Sequence, residues 1–286
     1  MLQDSTLRLL RFPFSFFLMP VFWFALSIQH HIDIIKAILL FVILHVLVYP
    51  SSNGYNSYMD RDTGSIGGIE NPPAPLKELF VVSVVMDISA ILLSFFVSPL
   101  TTLLLSVYII FSRLYSYRGV RLKQYPISGY LTVILNQGSL VFAMIYLGVG
   151  DGASVLPYNP LIAAAFLIGG FYPITQIYQH DADKADGVNS ISQMLGKRGT
   201  FIFCAIVYGF AFTLLFIYFE QLDQLNFFYI LQLFFIPVVV YFLKWAIQVW
   251  KDASKADFKH TMRMNWVASI CSNAGFLSLL ILQQRG

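Results

Sequence analysis

The sequence predicts an all-α, polytopic membrane protein with nine transmembrane helices. Three observations carry that expectation. Of the 286 residues, 57% are hydrophobic and 12% are charged, about half the charged fraction of a soluble globular domain, which is about 25%. Apolar runs near the length needed to cross a hydrocarbon core, about 20 residues for about 30 Å, recur along the whole chain. Basic residues concentrate on alternate connecting segments. Such a chain has lipid as its main solvent, and no nucleic-acid partner is expected.

Taken in order, the apolar runs centre near residues 20, 42, 88, 105, 138, 168, 210, 234 and 274. The first, FPFSFFLMPVFWFALSIQHH, has no small-residue cleavage site and is followed by further spans, so it reads as a retained helix rather than a signal peptide. The second, AILLFVILHVLVYP (37–50), leads directly into the polar stretch SSNGYNSYMDRDTG (51–64). The third is interrupted by Asp87, an intramembrane acid that either lines a cavity or hydrogen-bonds a neighbouring helix. The fourth ends in the basic segment SRLYSYRGVRLKQYPISGY (112–130), and the fifth contains Asn136 and Gln137, both expected to face a cavity. The sixth closes on QIYQHDADKADG (176–187). Cys204 and Cys271 lie inside the seventh and ninth apolar runs and read as small packing residues, not a disulfide. His45 and His180 have no partners at metal-ligand spacing and read as packing or polar contacts.

Lys and Arg favour the cytoplasmic ends of membrane helices. Arg8 and Arg11 precede the first span; Arg61 and Lys77 follow the second; Arg113, Arg118, Arg121 and Lys123 follow the fourth. Lys184, Lys197 and Arg198 follow the sixth, and Lys244, Lys251, Lys255, Lys259 and Arg263 follow the eighth. Only Lys36 and Arg285 remain for the other side. The N-terminus is therefore expected in the cytoplasm and the C-terminus outside, in a multi-pass protein of the cell (inner) membrane. The long polar segments, roughly 60–77, 113–126, 179–199 and 244–263, all fall on the cytoplasmic side, whereas outer connections such as SP (98–99), GDGASVLPYNP (150–160) and EQLDQLN (220–226) are short. No linker interrupts the chain, so residues 1–286 read as a single transmembrane domain.

The two polar clusters carry the chemistry. Residues four apart share a helical face, so at the end of helix 2 Asn56 and Asp60 stack, with Asn53 one turn above and Asp62 just beyond. In the second cluster Gln179 and Asp183 stack four apart, Gln176 shares their face, and Asp181 and Asp186 flank it. An Asp at the bilayer centre costs about 2.5–3.5 kcal/mol, so these acids belong at the interface or around a polar cavity. Solvation alone accounts for single acids, but not for two amide-plus-carboxylate faces at corresponding helix ends. Hard oxygen donors suit Mg²⁺, which commonly binds one or two carboxylates together with substrate phosphates. Arg118, Arg121 and Lys123 lie between the clusters in sequence. A diphosphate held by Mg²⁺ on one side and by these cations on the other would satisfy both sets of charges.

With these segments the chain resembles the UbiA superfamily of intramembrane prenyltransferases, over nearly its whole length. NGYNSYMDRDTG supplies Asn56 and Asp60 of the family's Asn-x-x-x-Asp-x-x-x-Asp signature, with Gly64 at the third position and Asp62 nearby. YSYRGVRLK (115–123), beginning with Tyr115, matches the family's tyrosine-and-basic segment. In the second signature, Asp-x-x-x-Asp, Gln179 takes the first acidic position and Asp183 the second, with Asp181 between them. The resemblance implies a helical ring around a central cavity that opens near the cytoplasmic face. It also implies Mg²⁺-dependent transfer of an isoprenyl group from an isoprenyl diphosphate to a lipophilic or aromatic acceptor, through an allylic carbocation-like state. Asp60 and Asp183 are then the catalytic acids; Asn56, Asp60, Asp62, Asp181 and Asp183 the metal ligands; Arg121, Lys123 and Arg118 the diphosphate-binding cations; and Asn53, Tyr115, Asn136 and Gln179 substrate contacts. The alternative is a non-catalytic binding protein or transporter for a phosphorylated isoprenoid lipid. Transporter sites tend to sit at the bilayer midplane, whereas these polar residues gather at one face.

Overall fold

The computed structural model of the chain describes residues 2–150 and 155–285. The apolar runs form helices, numbered here in chain order: α1 Asp4–Ser27, α2 Ile34–Asp60, α3 Lys77–Ser94, α4 Pro99–Ser116, α5 Pro126–Val149, α6 Tyr158–Thr175, α7 Ile191–Gln221, α8 Leu225–Lys251 and α9 Phe258–Gln283. Among the described residues seven of these, all but α3 and α6, are long and apolar enough to cross a membrane. The other two are each 18 residues long and pack among them. Residues 151–154 of the expected outer connection 150–160 lie outside the described residues.

Local chemistry sets the helix ends. Asp33, Ser98, Ser190 and Asp257 each accept a backbone N–H three residues ahead, at the starts of α2, α4, α7 and α9, satisfying donors that a helix N-terminus leaves free. Pro50 cannot donate to the helical ladder and its ring crowds the preceding turn. The widened π-helical turn Ile43–Val48 just before it absorbs the mismatch within α2. A second π-helical turn, Ile134–Leu140, interrupts α5 around Asn136 and Gln137. It lies where α5 meets α6 most closely: a Cβ on Gly138 would sit 2.5 Å from Ala165 Cα.

The helices close a ring, α9 packing back against α1. The amphipathicity of α3 is reversed relative to a helix of a soluble protein. On α3 the exposed stripe is Val81, Val85, Ile88 and Leu92, while the buried face holds Ser83, Asp87 and Ser94 beside Leu79 and Ala90. Apolar side chains therefore face outward, as lipid demands, and polar groups face a shared interior where they can pair. His45 packs among Phe22, Phe41 and Tyr49 in that interior. Cys204 and Cys271 are both free.

Candidate active site

The last turn of α2 ends at Asp60, where Arg61 turns the chain into the left-handed region at φ 53°. The chain then runs through a tight turn in which Ile66 and Ile69 pair their backbones. This geometry brings Asn53, Asn56, Asp60, Asp62, Ile66 and Gly67 onto one wall of a cavity of about 250 Å³. On the opposite wall α6 ends at Thr175, and Gln176 and Ile177 close it with tightened bonds to Pro173 and Ile174. The second cluster therefore does not extend α6 as the four-residue spacing suggested. It forms a separate short helix, His180–Ala185, with Gln179 at its N-cap. Asp183 N–H still donates to the Gln179 carbonyl at 2.8 Å, and both residues line the cavity.

The two acidic tips thus share one chamber. Gln179 Nε2 donates to the Ser65 carbonyl at 3.1 Å, joining the segments after α2 and α6 across its mouth. Deeper in, the wall is formed by Tyr108, Ser112, Tyr115 and Ser116 of α4, and by Asn136 and Gln137 of α5, which the π-helical turn presents as neighbours. Asn136 is buried and donates from Nδ2 to the Tyr108 carbonyl at 3.0 Å. Beyond Phe17, Ile168 and Phe171 lies a second, apolar cavity lined by Val21, Leu167, Phe235 and Phe276.

The basic segment after α4 takes two different positions. Lys123 lines the chamber and pairs with Asp60 Oδ2. Arg118 and Arg121 do not line it. Arg118 donates to the Met59 and Asp60 carbonyls at 2.9 and 3.0 Å, capping α2, and to Asp186 at 2.9 Å. Arg121, itself left-handed at φ 49°, turns back to pair with Asp186 and lies 3.6 Å from Asp60 Oδ1. The two arginines therefore stitch the acidic tips together from outside the chamber. Asp181, expected among the metal ligands, is exposed and does not line the chamber, because the short helix turns it outward while Asp183 turns in.

Two functional groups, Arg11 and Tyr172, had no sequence signal beyond ordinary composition, and a third, Asp186, was expected only as a flanking acid. Arg11 lines the chamber although only 8% exposed, donating to the Gly67 and Asn53 carbonyls at 3.2 Å. In the sequence it counts only as a positive charge before a span. Tyr172, hidden in the apolar run of α6, bonds the Tyr115 hydroxyl at 2.5 Å and accepts from Gln176 Nε2 at 2.8 Å. Asp186 is the partner of both arginines.

The electrostatics are those of a site with excess negative charge. Arg11 and Lys123 face Asp60, Asp62 and Asp183. Burial, with the neighbouring Asp62, Asp60 and Asp186 and against the pull of Lys123, pushes Asp183 up to about 6. Burial and then Asp60 raise Asp62 as well. Burial of Asp186 acts in the same sense, but the hydrogen bonds from Arg118 and Arg121 outweigh it and hold its carboxyl low. Among the described residues no three His, Cys, Asp or Glu side chains converge into a ready-made metal cage.

Comparison with known proteins agrees with this architecture. Solved structures share the fold at 18% sequence identity. A UbiA homologue from Archaeoglobus fulgidus bound to DMAPP and Mg²⁺ aligns with a TM-score of 0.73, covering 97% of this chain and 99% of that one. An apo UbiA homologue from Aeropyrum pernix K1 aligns at 0.69 over 94% and 98%. A digeranylgeranylglyceryl phosphate synthase aligns at 0.64 over 99% of both chains. No curated protein matches the sequence. The family model of the UbiA prenyltransferase family matches residues 17–268, so the chain belongs to that family.

Proposed function

We propose that this chain is a multi-pass membrane prenyltransferase, a single domain over residues 1–286, that moves an isoprenyl group from an isoprenyl diphosphate to a lipophilic or aromatic acceptor with Mg²⁺. One observation carries the reading: the acidic tips after α2 and α6 line one chamber whose mouth also holds Lys123. The residues fit a divalent cation. Three carboxylates against two cations leave the lining negative, so a diphosphate enters only with compensating divalent charge. Asp60 Oδ1 is buried and accepts no hydrogen bond, Arg121 lying 3.6 Å from it, so its bonding capacity is unfilled. Carboxylate and amide oxygens are the donor type that suits Mg²⁺, which is usually held by one or two carboxylates plus substrate phosphates. Asn56 and one or two of Asp60, Asp62 and Asp183 would hold it, and when bound it supplies charge neutralisation for the departing diphosphate.

The chain's own residues do the rest. Lys123, inside the chamber, takes part of the negative charge that builds on the diphosphate as the bond from C1 to oxygen breaks. The electron pair of that bond leaves with the diphosphate; the acceptor's electron pair forms the new bond to C1, and the acceptor then loses a proton. Phe14, Phe17 and Phe171 and the tyrosines Tyr108, Tyr115 and Tyr172 line the same space, and ring faces stabilise a developing cation by about 0.5–2 kcal/mol each. The apolar cavity past Phe17 and Phe171 receives the tail, and the polar end at Asn136 and Gln137 faces the acceptor. The joined segments around Ser65 and Gln179 keep water from the cation. The basic loops lie at the chamber's mouth, which supports a cytoplasmic N-terminus, an outer C-terminus and placement in the cell (inner) membrane.

The test is incubation of the purified protein with radiolabelled prenyl diphosphates, Mg²⁺ and a panel of acceptors. Label transferred to an acceptor with release of diphosphate is the expected result. Saturable binding without release would favour the non-catalytic carrier instead.

A further inference from the structure

Asp87 has no place in the chamber, yet it sits 7% exposed in the middle of α3. Its partners are on two other helices. Ser51 Oγ of α2 donates to Oδ1 at 2.5 Å, and Arg113 of α4 pairs with Oδ2 through Nε at 2.8 Å and through Nη2. Arg113 Nη2 also donates to Ser51 Oγ at 2.5 Å, and its guanidinium stacks 4.3 Å over the Tyr55 ring. The partners of this ion pair on α2, Ser51 and Tyr55, lie four apart and alternate in sequence with Asn53 and Asn56 of the proposed ligand face. The same face of α4 continues the grip: Ser112 Oγ donates to Ser52 Oγ at 2.9 Å, and Ser116 Oγ donates to Asn56 Oδ1 at 2.8 Å.

Packing alone does not call for this arrangement. An ionised pair in lipid-surrounded helices is expensive, and apolar side chains of similar size often stabilise as well or better. What the pair does geometrically is fix the roll of α2 about its own axis. Rotation of one residue would swing Asn53, Asn56 and Asp60 off the chamber wall by about 100°. Ser116 then fixes the remaining freedom, the χ2 torsion of Asn56. Its hydroxyl occupies one lone pair of Oδ1, which assigns that atom as the carbonyl oxygen and leaves the second lone pair for the chamber.

We infer that Asp87, Arg113 and Ser116 are positioning residues that hold the α2 ligand face, and Asn56 Oδ1 in particular, in the orientation a divalent cation needs. This rests on the prenyltransferase reading above. Groups that orient metal ligands in this way typically change metal affinity or activity by 10–100-fold when removed.

The experiment titrates Mn²⁺ into the purified full chain in nanodiscs with GPP present, following free Mn²⁺ by electron paramagnetic resonance, and measures thermal unfolding in parallel. Ser116→Ala deletes one hydroxyl and is expected to fold normally while raising the Mn²⁺ dissociation constant about 10-fold; Ser116→Thr, which keeps the hydroxyl, restores it. Asp87→Asn alone strands Arg113 and is expected to reduce the folded yield, so the double variant Asp87→Asn/Arg113→Gln removes both charges together. It is expected to fold and to bind Mn²⁺ at least 10-fold more weakly. Folded Ser116→Ala and double variants that bind Mn²⁺ as the parent does would reduce the network to packing and overturn the inference. A parent that binds no Mn²⁺ with GPP would overturn the prenyltransferase reading itself, a separate outcome.

Discussion

Replacing Asp183 with Asn sets stability and function against each other. Asp183 is raised from 3.8 to about 6, first by burial and then by the acids that share the chamber. The sign follows from linkage: the folded protein holds this proton more tightly than the unfolded chain. Stability therefore falls as pH rises from about 4 to about 6, and the whole penalty is present at pH 7.5. At about 1.36 kcal/mol per pH unit the shift has an upper bound of about 3 kcal/mol. The carboxylate keeps part of its surface in water, which screens the interaction, so about 1–2 kcal/mol is expected. In detergent with EDTA at pH 7.5, Asp183→Asn should unfold at a higher temperature than the parent, by roughly 2–4 °C per kcal/mol. The gap should close as pH is lowered toward 4. Mg²⁺ with a prenyl diphosphate should reverse the order, and the variant should lose at least 100-fold in turnover. A variant no more stable than the parent at pH 7.5 without metal, or one with parental Mg²⁺-dependent turnover, would refute the reasoning.

Other perturbations separate the parts of the account. Lys123→Gln leaves the buried Asp60 with only Arg121 at 3.6 Å; stability is expected to drop by up to about 3 kcal/mol, and KM for the diphosphate to rise at least 10-fold in steady-state assays. Phe171→Ala opens the wall shared by the two cavities, so competition between short and long prenyl diphosphates should shift at least 5-fold toward the longer one. Gly138→Ala puts a methyl group 2.5 Å from Ala165 Cα and 2.7 Å from the Ala164 carbonyl oxygen and should destabilise by about 1–3 kcal/mol. Gly209→Ala, with nothing within 4 Å of the added carbon, should be neutral or slightly stabilising by thermal unfolding.

Much of this molecule was readable before its structure because lipid enforces simple rules. Each apolar run had to close its own backbone hydrogen bonds, so the runs became helices, and the end of α2 fell at Asp60 as the Asn56–Asp60 spacing required. The second cluster was harder. Residue spacing cannot show that α6 stops at Thr175 and that a new short helix starts at His180, and this break decides that Asp183 faces the chamber while Asp181 faces outward. Long-range pairing was also hidden. Asp87 and Arg113 are 26 residues apart, and Arg118 reaches Asp186 over 68, distances over which no periodicity operates. Arg118, Arg121 and Lys123 were expected to meet a diphosphate as a group, but left-handed backbone at Arg121 sends that side chain to Asp186, and of the three Lys123 alone lines the chamber. Arg11 and Tyr172 are ordinary residues in sequence and become part of the site only through the ring's closure.

The most direct test replaces Mg²⁺ with Mn²⁺ and looks for phosphorus beside it. Electron–nuclear double resonance on the full chain with GPP should show ³¹P coupling to bound Mn²⁺, and both Asp60→Asn and Asp183→Asn should weaken or remove it. Bound Mn²⁺ without ³¹P coupling, or coupling unchanged in both variants, would contradict the claim that the ends of α2 and α6 grip a metal and a diphosphate together.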